Sequence, residues 1–406
     1  MHFVIIGNGV AGVTAARALS EGGAEVEVYA QEAHHYYPRP RLQRFLAGEI
    51  ELEDLYLYSP AWYEGQGIAV HLGVEVMGLD PTAKRIALAA CTERSRSNGC
   101  EVPYDRLLLA TGSRPFIPPI EGVDKEGVFT LRTIEDALAI RRWAEGAKRA
   151  VVVGGGLLGL EAARALMVLG LRVTVLEYES YLLQRQLDAE GGALLRKLIG
   201  AMGIEVALNA SSQAILGDGQ ATGVLLQDGR TIEGDLILIS TGIRSNVKLA
   251  QEAGLEAHRG VVVDEHLRTS AEGIYAAGDV AEFRDRVYGI IPAALEQART
   301  AALNMLGEEA AYQGTVPSNT LQVVGIDCTS IGVIHPPESE GYREFRKSGA
   351  GVYKKLVLKD GRLVGAILLG DRKDVAPISR LIQRGADVSR YTERLLDEDF
   401  DWKELL

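Results

Sequence analysis

One strand, glycine turn, helix and strand pattern is written twice in this chain. An apolar run from Phe3 to Ile6 leads into Gly7-Asn8-Gly9-Val10-Ala11-Gly12, then AARAL at helical spacing, then a β-type run from Val26 to Tyr29. The same order returns in Val151 to Val153, Gly154-Gly155-Gly156-Leu157-Leu158-Gly159, AARAL again, and Val173 to Leu176, at an offset of 147 from Gly7 to Gly154. At that offset Gly7, Gly9, Gly12, Ala15, Ala16, Arg17, Ala18, Leu19, Val26 and Val28 all fall on identical residues, so the chain holds an internal duplication. In each copy the first glycine makes a tight turn, the second lets the backbone approach a pyrophosphate, and the third lets the helix close on the strand. Two such sites imply two dinucleotides. FAD with a nicotinamide cofactor is the economical pair, because one accepts the hydride that the other donates.

The copies differ at informative positions. A carboxylate that binds adenosine ribose hydroxyls stands about 20 residues past the glycines. The second copy has Glu177 there, 18 residues past Gly159, whereas the first has Ala30, with Glu32 the nearest carboxylate able to substitute. Glu177 would repel a 2′-phosphate and so favours NADH over NADPH, despite Arg172 nearby in sequence. The other difference is Glu161, where the first copy has Thr14. In an otherwise apolar helix start, this carboxylate either pairs with Arg164 at i+3 or points into a functional cleft, and spacing alone does not choose.

A second echo has an offset of 130: Tyr104-Asp105-Arg106-LLLATGSR reaches Thr111-Gly112, and Asp235-LILISTGIR reaches Thr241-Gly242. Both read as buried parallel strands ending in a turn where glycine is needed beside a ligand. Gly273-Ile274-Tyr275-Ala276-Ala277-Gly278-Asp279 is a further short strand, and its Asp279 would accept hydrogen bonds from polyol hydroxyls or cap the following helix.

The 406 residues allow two to three domains, and 47% hydrophobic with 24% charged residues is a globular balance. A net charge of −12 argues against sequence-independent affinity for nucleic acid or an anionic membrane surface. No stretch approaches the ~18 apolar residues of a membrane helix, so a cytoplasmic protein is expected. Cys91, Cys100 and Cys328 form no CxxC and no metal-ligand spacing with the seven histidines, so neither a cysteine redox centre nor a metal site is expected. His34-His35 and Tyr36-Tyr37 read as packing near a cofactor. Residues 89–101, AACTERSRSNGCE, read as an exposed, mobile insertion in a short hairpin, and a Cys91–Cys100 bridge is not expected in a reducing compartment. From about Tyr312 the alternating runs LQVVGI, SIGVI and YKKLVLKDGRLVGAILLG predict a small antiparallel sheet with a hairpin at Asp360-Gly361. A helix over 376–383 follows, then an acidic tail anchored by Phe400, Trp402, Leu405 and Leu406.

The set GNGVAG, YYPRPRL, LLLATGSRP, GGGLLGLE, TGIRSN and TSAEGIYAAGD resembles the pyridine-nucleotide:flavin oxidoreductases with two dinucleotide-binding domains, over essentially the whole chain. Within them it is most similar to NAD(P)H:rubredoxin oxidoreductases, to the flavin domain of NADH-dependent nitrite reductases and to ferredoxin reductases of oxygenase systems. The resemblance implies an α/β fold with two Rossmann-like domains, the second inserted in the first, plus a small α+β C-terminal domain. The expected bounds are 1–112 and 243–311 for FAD, 113–242 for NAD(H), and 312–406 for a C-terminal domain of the kind that commonly makes a dimer interface, which leaves a homodimer open. It further implies that Gly7, Gly9, Gly12, Thr111, Gly112 and Asp279 contact FAD, joined by Glu32, while Gly154, Gly156, Gly159, Glu177 and Gly242 serve NADH. Pro38 to Arg44 resembles the family's DRPPLSK segment, so Arg39 matches the arginine that meets the flavin pyrophosphate and Arg44 replaces the lysine near the flavin ring. The family also has a glutamate at the position of Glu161, facing the flavin. On this resemblance Glu161 and Arg44 are the candidate catalytic residues.

The departures matter equally. Relatives that reduce disulfides or peroxide carry cysteine where this chain reads YYPRPRLQRF, so the flavin would be the only redox centre. Ser245 replaces a usual proline in TGIRSN, an expected small loss of turn rigidity. The implied acceptor is a small rubredoxin-like or ferredoxin-like carrier or a reductase subunit, with an acidic carrier needing a basic patch for which Arg39, Arg41 and Arg44 are candidates. An NADH oxidase, the flavin part of a nitrite reductase and a slow-turnover redox-signalling flavoprotein are the rival readings.

Overall fold

The computed structural model describes residues 1–92, 99–315, 318–338, 341–397 and 399–405. They form two compact units: Met1–Phe45 with Ile50–Pro115 and Ile243–Thr315, and Leu46–Glu49 with Phe116–Gly242 and Val316–Leu406.

In the first unit, apolar runs become a five-stranded parallel sheet ordered Ile274–Ala276, Arg106–Leu109, His2–Ile6, Glu25–Ala30, Ile68–Leu72. The register runs from His2 opposite Glu25 to Ile6 opposite Tyr29. Strands buried on both faces read as continuous apolar sequence, and Val4, Ile5, Leu107 and Leu108 are fully buried. The alanine-rich Val10–Glu21 helix packs against the Ile291–Leu306 helix, whose small residues Ala294, Ala298, Ala301 and Ala302 line its buried side. Beside the sheet lies an antiparallel meander of Val76–Asp80, Arg85–Leu88 and Glu101–Pro103. The second unit repeats this plan. Its parallel sheet is ordered Glu205–Ala207, Arg172–Leu176, Arg149–Val153, Leu236–Ile239, Val128–Phe129, and its meander is Ser212–Leu216, Gly223–Leu226, Thr231–Glu233.

The duplication extends to how each sheet is fastened. Asp105 donates its backbone N–H to the His2 carbonyl at 2.9 Å and accepts the His2 N–H on its carboxylate at 2.7 Å. Asp235 likewise donates to the Arg149 carbonyl at 2.9 Å and accepts the Arg149 N–H at 3.0 Å. These two aspartates, equivalent in the second sequence echo, clamp the start of each first strand to the start of the strand that ends in Thr-Gly.

Cys91 and Cys100 are joined by a disulfide, contrary to the expectation from sequence. Antiparallel pairing of Arg85–Leu88 with Glu101–Pro103, extended by the Leu88 N–H to the Cys100 carbonyl at 2.9 Å, brings the two Cα atoms to 4.4 Å. The centre of the insertion, 93–98, lies outside the described residues. Cys328 is buried and free, and desolvation pushes its thiol up to about 12.

Residues past 316 share the second unit with 116–242. They form the antiparallel sheet Ser318–Val323, Ile326–Gly332, Arg362–Leu369, Val352–Lys359, Tyr342–Gly349, covered by the Val375–Arg384 helix. Phe400 and Trp402 are buried among Ile378, Leu381 and Leu395, so the acidic tail docks on its own domain; Leu406 lies outside the described residues. This sheet is tied to the helix Ala189–Ala201 by a buried ionic cluster. Lys355, 2% exposed, places its ammonium 2.9 Å from Glu344, 3.3 Å from Asp188 and 2.9 Å from the Ile334 carbonyl. Asp188 caps that helix through the Gly191 N–H at 3.1 Å and accepts the Tyr353 hydroxyl at 2.7 Å. Among the described residues, no helix is long and apolar enough to cross a membrane.

Removing one partner of a buried ion pair leaves an uncompensated charge. Lys355→Ala should therefore cost the second unit about 3–5 kcal/mol, read as an earlier urea transition in the emission of Trp143 and Trp402, which both belong to that unit. Burial raises the Asp188 carboxyl, but the hydrogen bonds from Tyr353 and Gly191 and the nearby Lys355 ammonium outweigh it and hold it below the usual range. A carboxyl lowered by folding stabilises fully above its unfolded value of about 3.9 and loses that contribution as pH falls through the folded value. Asp188→Asn should accordingly flatten the acid limb of the stability curve below about pH 4.

Candidate functional site

Each parallel sheet ends its central strands in the motifs found in sequence, so the candidate residues collect at the carboxyl edge of each sheet. In the first unit Gly7 turns the chain out of His2–Ile6 with φ +111°, and its N–H donates to the Tyr29 carbonyl at 2.8 Å. A Cβ on Gly7 would run into the Ala110 carbonyl, and one on Gly12 into the Gly7 carbonyl, whereas the position above Gly9 is open. The second unit matches this in detail. Gly154 has φ +117°, a Cβ on it would strike the Ser240 carbonyl, one on Gly159 would strike Gly154, and Gly156 faces open space. Two glycines in each turn are thus required by the fold, and the middle one leaves room for a ligand at the N-terminus of a 12-residue helix.

Two polar atoms of the first unit suit a bound dinucleotide. The amide nitrogens of Asn8, inside the glycine turn, and of Gln297, whose oxygen accepts the Gly278 N–H at 2.9 Å, are buried without a partner among the described residues. Buried donors left unpaired are costly, so the donor set fits a ligand rich in acceptor oxygens.

Glu32 and Arg39 are brought together. The Arg39 guanidinium is hydrogen-bonded to the Glu32 carboxylate, and Tyr37, not singled out by sequence as a polar partner, donates its hydroxyl to Glu32 while its ring lies 5.0 Å below the guanidinium carbon. His34 stacks on Tyr56 and His35 on Tyr63. Arg41 hydrogen-bonds the carbonyls of Asp54 and Leu55, and Arg44 is exposed on the short helix Leu42–Leu46.

Thr111, Gly112 and Asp279 lie in a network that sequence reading missed. Thr111 donates its hydroxyl to the Asn246 carbonyl at 3.0 Å, and the Asn246 amide returns a bond to the Thr111 carbonyl at 2.9 Å. Ser113 donates to the Asp279 carboxylate at 2.7 Å, and Ser245 donates to the Asp279 carbonyl at 2.7 Å. Ser245 therefore does the opposite of loosening its turn: it makes a bond that proline could not. The signal was present as Thr-Gly-Ser-Arg against Thr-Gly-Ile-Arg-Ser-Asn, since Ser113 pairs with Ser245 across an antiparallel bridge.

In the second unit Glu177 ends the Arg172–Leu176 strand and accepts two backbone N–H groups, from Gly155 at 2.8 Å and Glu179 at 2.9 Å. Arg172 stands at the other end of that strand, so it does not offset the acidic edge. Thr241 donates to the Phe116 carbonyl at 2.6 Å, and the Gly242 carbonyl accepts the Phe116 N–H at 2.9 Å.

Glu161 does not pair with Arg164. That arginine meets Glu49 at 2.5 Å, while the Glu161 carboxylate accepts the backbone N–H of Val324 at 2.6 Å. Burial raises the Glu161 carboxyl and Glu49 adds to the rise, more than the Val324 hydrogen bond and Arg164 lower it.

The Pyridine nucleotide-disulphide oxidoreductase model matches residues 1–301 and the Rubredoxin NAD+ reductase C-terminal domain matches 317–386. The chain belongs to the pyridine nucleotide-disulphide oxidoreductase family. Family relatives include the ferredoxin--NAD(+) reductase subunit of a benzene 1,2-dioxygenase system from Pseudomonas putida, 34% identical over 100% of this chain and 97% of its own length. A nitrite reductase [NAD(P)H] from Bacillus subtilis is 36% identical over 97% of this chain and 48% of its own length. The chain spans about half the length, or less, of the nitrite and nitrate reductase relatives it matches. Among solved structures of the family, the covalent putidaredoxin reductase–putidaredoxin complex superposes with a TM-score of 0.87 at 29% identity, covering 100% of this chain and 97% of that one.

The glycine geometry separates fold from binding. Gly12→Ala should destabilise the first unit by about 1–3 kcal/mol, because a methyl there meets backbone. Gly9→Ala should leave the melting temperature of the cofactor-free protein unchanged yet weaken dinucleotide retention about tenfold or more, measured by equilibrium dialysis.

Proposed function

We propose that this chain is an FAD-dependent oxidoreductase that takes hydride from NADH and passes electrons to an external protein carrier of the rubredoxin or ferredoxin kind. The observation that carries the reading is the pair of glycine turns, each with an open position at a helix N-terminus, in a chain whose remainder matches the C-terminal domain of rubredoxin reductases. Bound FAD supplies a ring that accepts electrons as a hydride pair and yields them singly, which is what links a nicotinamide to a one-electron carrier.

Residues 1–112 and 243–311 are assigned to FAD, 113–242 to NADH and 312–406 to a covering and interface domain. Gly7, Gly9 and Gly12 approach the FAD pyrophosphate with Arg39, Glu32 takes adenosine ribose hydroxyls, Thr111 and Gly112 make the second FAD contact, and Asp279 makes the ribityl contact. Arg39 arrives preorganised, because Glu32 and Tyr37 fix its guanidinium before the phosphates bind. Gly154, Gly156, Gly159 and Gly242 receive NADH, and Glu177, oriented by the Gly155 and Glu179 N–H groups, accepts its ribose hydroxyls. Glu161 positions or excludes at the nicotinamide cleft, and Arg44 offers positive charge to the ring edge, without the compact ammonium that a lysine would bring.

The protein works without a redox-active disulfide and in the cytoplasm. Cys91 and Cys100 support the first point, since they sit at the root of the meander hairpin and not in the YYPRPRLQRF segment, which has no cysteine. A second reading makes the chain the flavin part of a larger nitrite-reducing enzyme, favoured by the half-length match to such relatives.

Anaerobic mixing of the flavoprotein with NADH should bleach its flavin absorbance at least tenfold faster than NADPH does, a difference of about 1.4 kcal/mol. Glu177→Gln should narrow that ratio. Reduced protein should then regain its oxidised spectrum quickly with rubredoxin or ferredoxin and slowly with air. Fast return in air alone would make it an oxidase and sink the carrier reading. Glu161→Ala or Arg44→Ala reduced by NADH at the unaltered rate would strike that residue from the catalytic set.

A further inference from the structure

The C-terminal sheet contains two hairpins with two-residue turns of the same left-handed kind, and they are built for different ends. One is Asp360-Gly361, with φ of +48° and +78° and an exposed aspartate, the ordinary composition of such a turn. The other is Val324-Gly325, with φ of +54° and +80°, joining Ser318–Val323 to Ile326–Gly332. Here the first turn residue is β-branched, a type that rarely adopts positive φ, and it is 3% exposed. A buried valine held in a conformation that costs stability persists only where its surroundings fix it. What fixes it is visible: its N–H donates to Glu161 at 2.6 Å, and the helix Leu157–Val168 that carries Glu161 lies against the strand Ser318–Val323.

We propose that the Val324-Gly325 turn is the positioning element for Glu161, fixing its carboxylate with a backbone N–H so that the C-terminal domain and the candidate nicotinamide cleft respond as one. The inference rests on the reading of Glu161 given above. Among the described residues, the charged groups acting on that carboxylate are Arg164 on its own helix and Glu49 on the Leu46–Glu49 segment, which pair with each other, and the donor that holds it is the Val324 amide. An N–H bond to a carboxylate is charge-assisted and weakens when the carboxyl takes a proton. The turn thereby senses the protonation of Glu161.

The test uses the FAD-loaded protein with 15N-valine. The Val324 amide should titrate with a single midpoint above the ordinary carboxylate range, and that titration should vanish in Glu161→Gln. A Val324 amide that does not titrate, or titrates equally in Glu161→Gln, overturns the proposal. Kinetics supply an independent arm. Gly325→Val, which displaces the turn, and Glu161→Gln should each slow reduction of bound FAD by NADH about tenfold, and the double variant should be no slower than either single one, since both remove one interaction. Multiplied effects would mean that the turn acts only on folding, and would overturn the proposal. Should Gly325→Val not fold, the Val324 amide titration compared between wild type and Glu161→Gln decides, with the outcomes already given. A Glu161→Gln protein reduced at the wild-type rate would defeat the reading of Glu161 instead, leaving the amide titration to judge the contact.

Discussion

Both parallel-sheet units depend on a backbone-to-backbone contact made where a side chain would not fit. In each unit the carbonyl of the first turn glycine sits where the third glycine's Cβ would be, and the carbonyl of the neighbouring strand sits where the first glycine's would be. That double contact draws the helix down onto the sheet and aims its N-terminal N–H groups at one point in front of the strand. The middle glycine is under no such pressure from the protein itself. A side chain there would meet no protein atom, so what the position tolerates is set by what approaches the helix N-terminus from outside.

The parts legible in sequence are those set by short-range rules. Continuous apolar runs gave the parallel strands, the glycine spacing gave the turns, and Asp360-Gly361 gave the hairpin, because each depends on neighbours within a few positions. What was not legible is long-range. Glu161 and Val324 are 163 residues apart, and the helix periodicity offered Arg164 instead. Ser245 looked like a lost proline until its strand was seen to lie beside Ser113 and under the Asp279 carbonyl. The Cys91–Cys100 bridge is set aside in the sequence on the expected compartment alone, and the antiparallel register that brings the two Cα atoms together is what overrides that expectation.

Charge is distributed with a similar economy. The chain is acidic as a whole, yet its buried Lys355 is matched to Asp188 and Glu344, and the half-buried Arg39 and Arg164 to Glu32 and Glu49. Buried pairs of this type add little net stability against apolar replacements but strongly penalise rearrangement. They work as registry pins. The Lys355 cluster keeps the antiparallel sheet aligned with the helix Ala189–Ala201, and the same alignment delivers the Val324 turn to the helix that bears Glu161.

The disulfide at the root of the meander hairpin also makes the chain continuous by a second route. Closing a loop costs entropy that grows only slowly with its length, and here the ends are already fastened 4.4 Å apart by a covalent bond and a strand ladder. Because Cys91 and Cys100 are covalently joined, a single cut in the peptide bonds between them would leave the two parts of the chain attached to each other until the bridge is reduced.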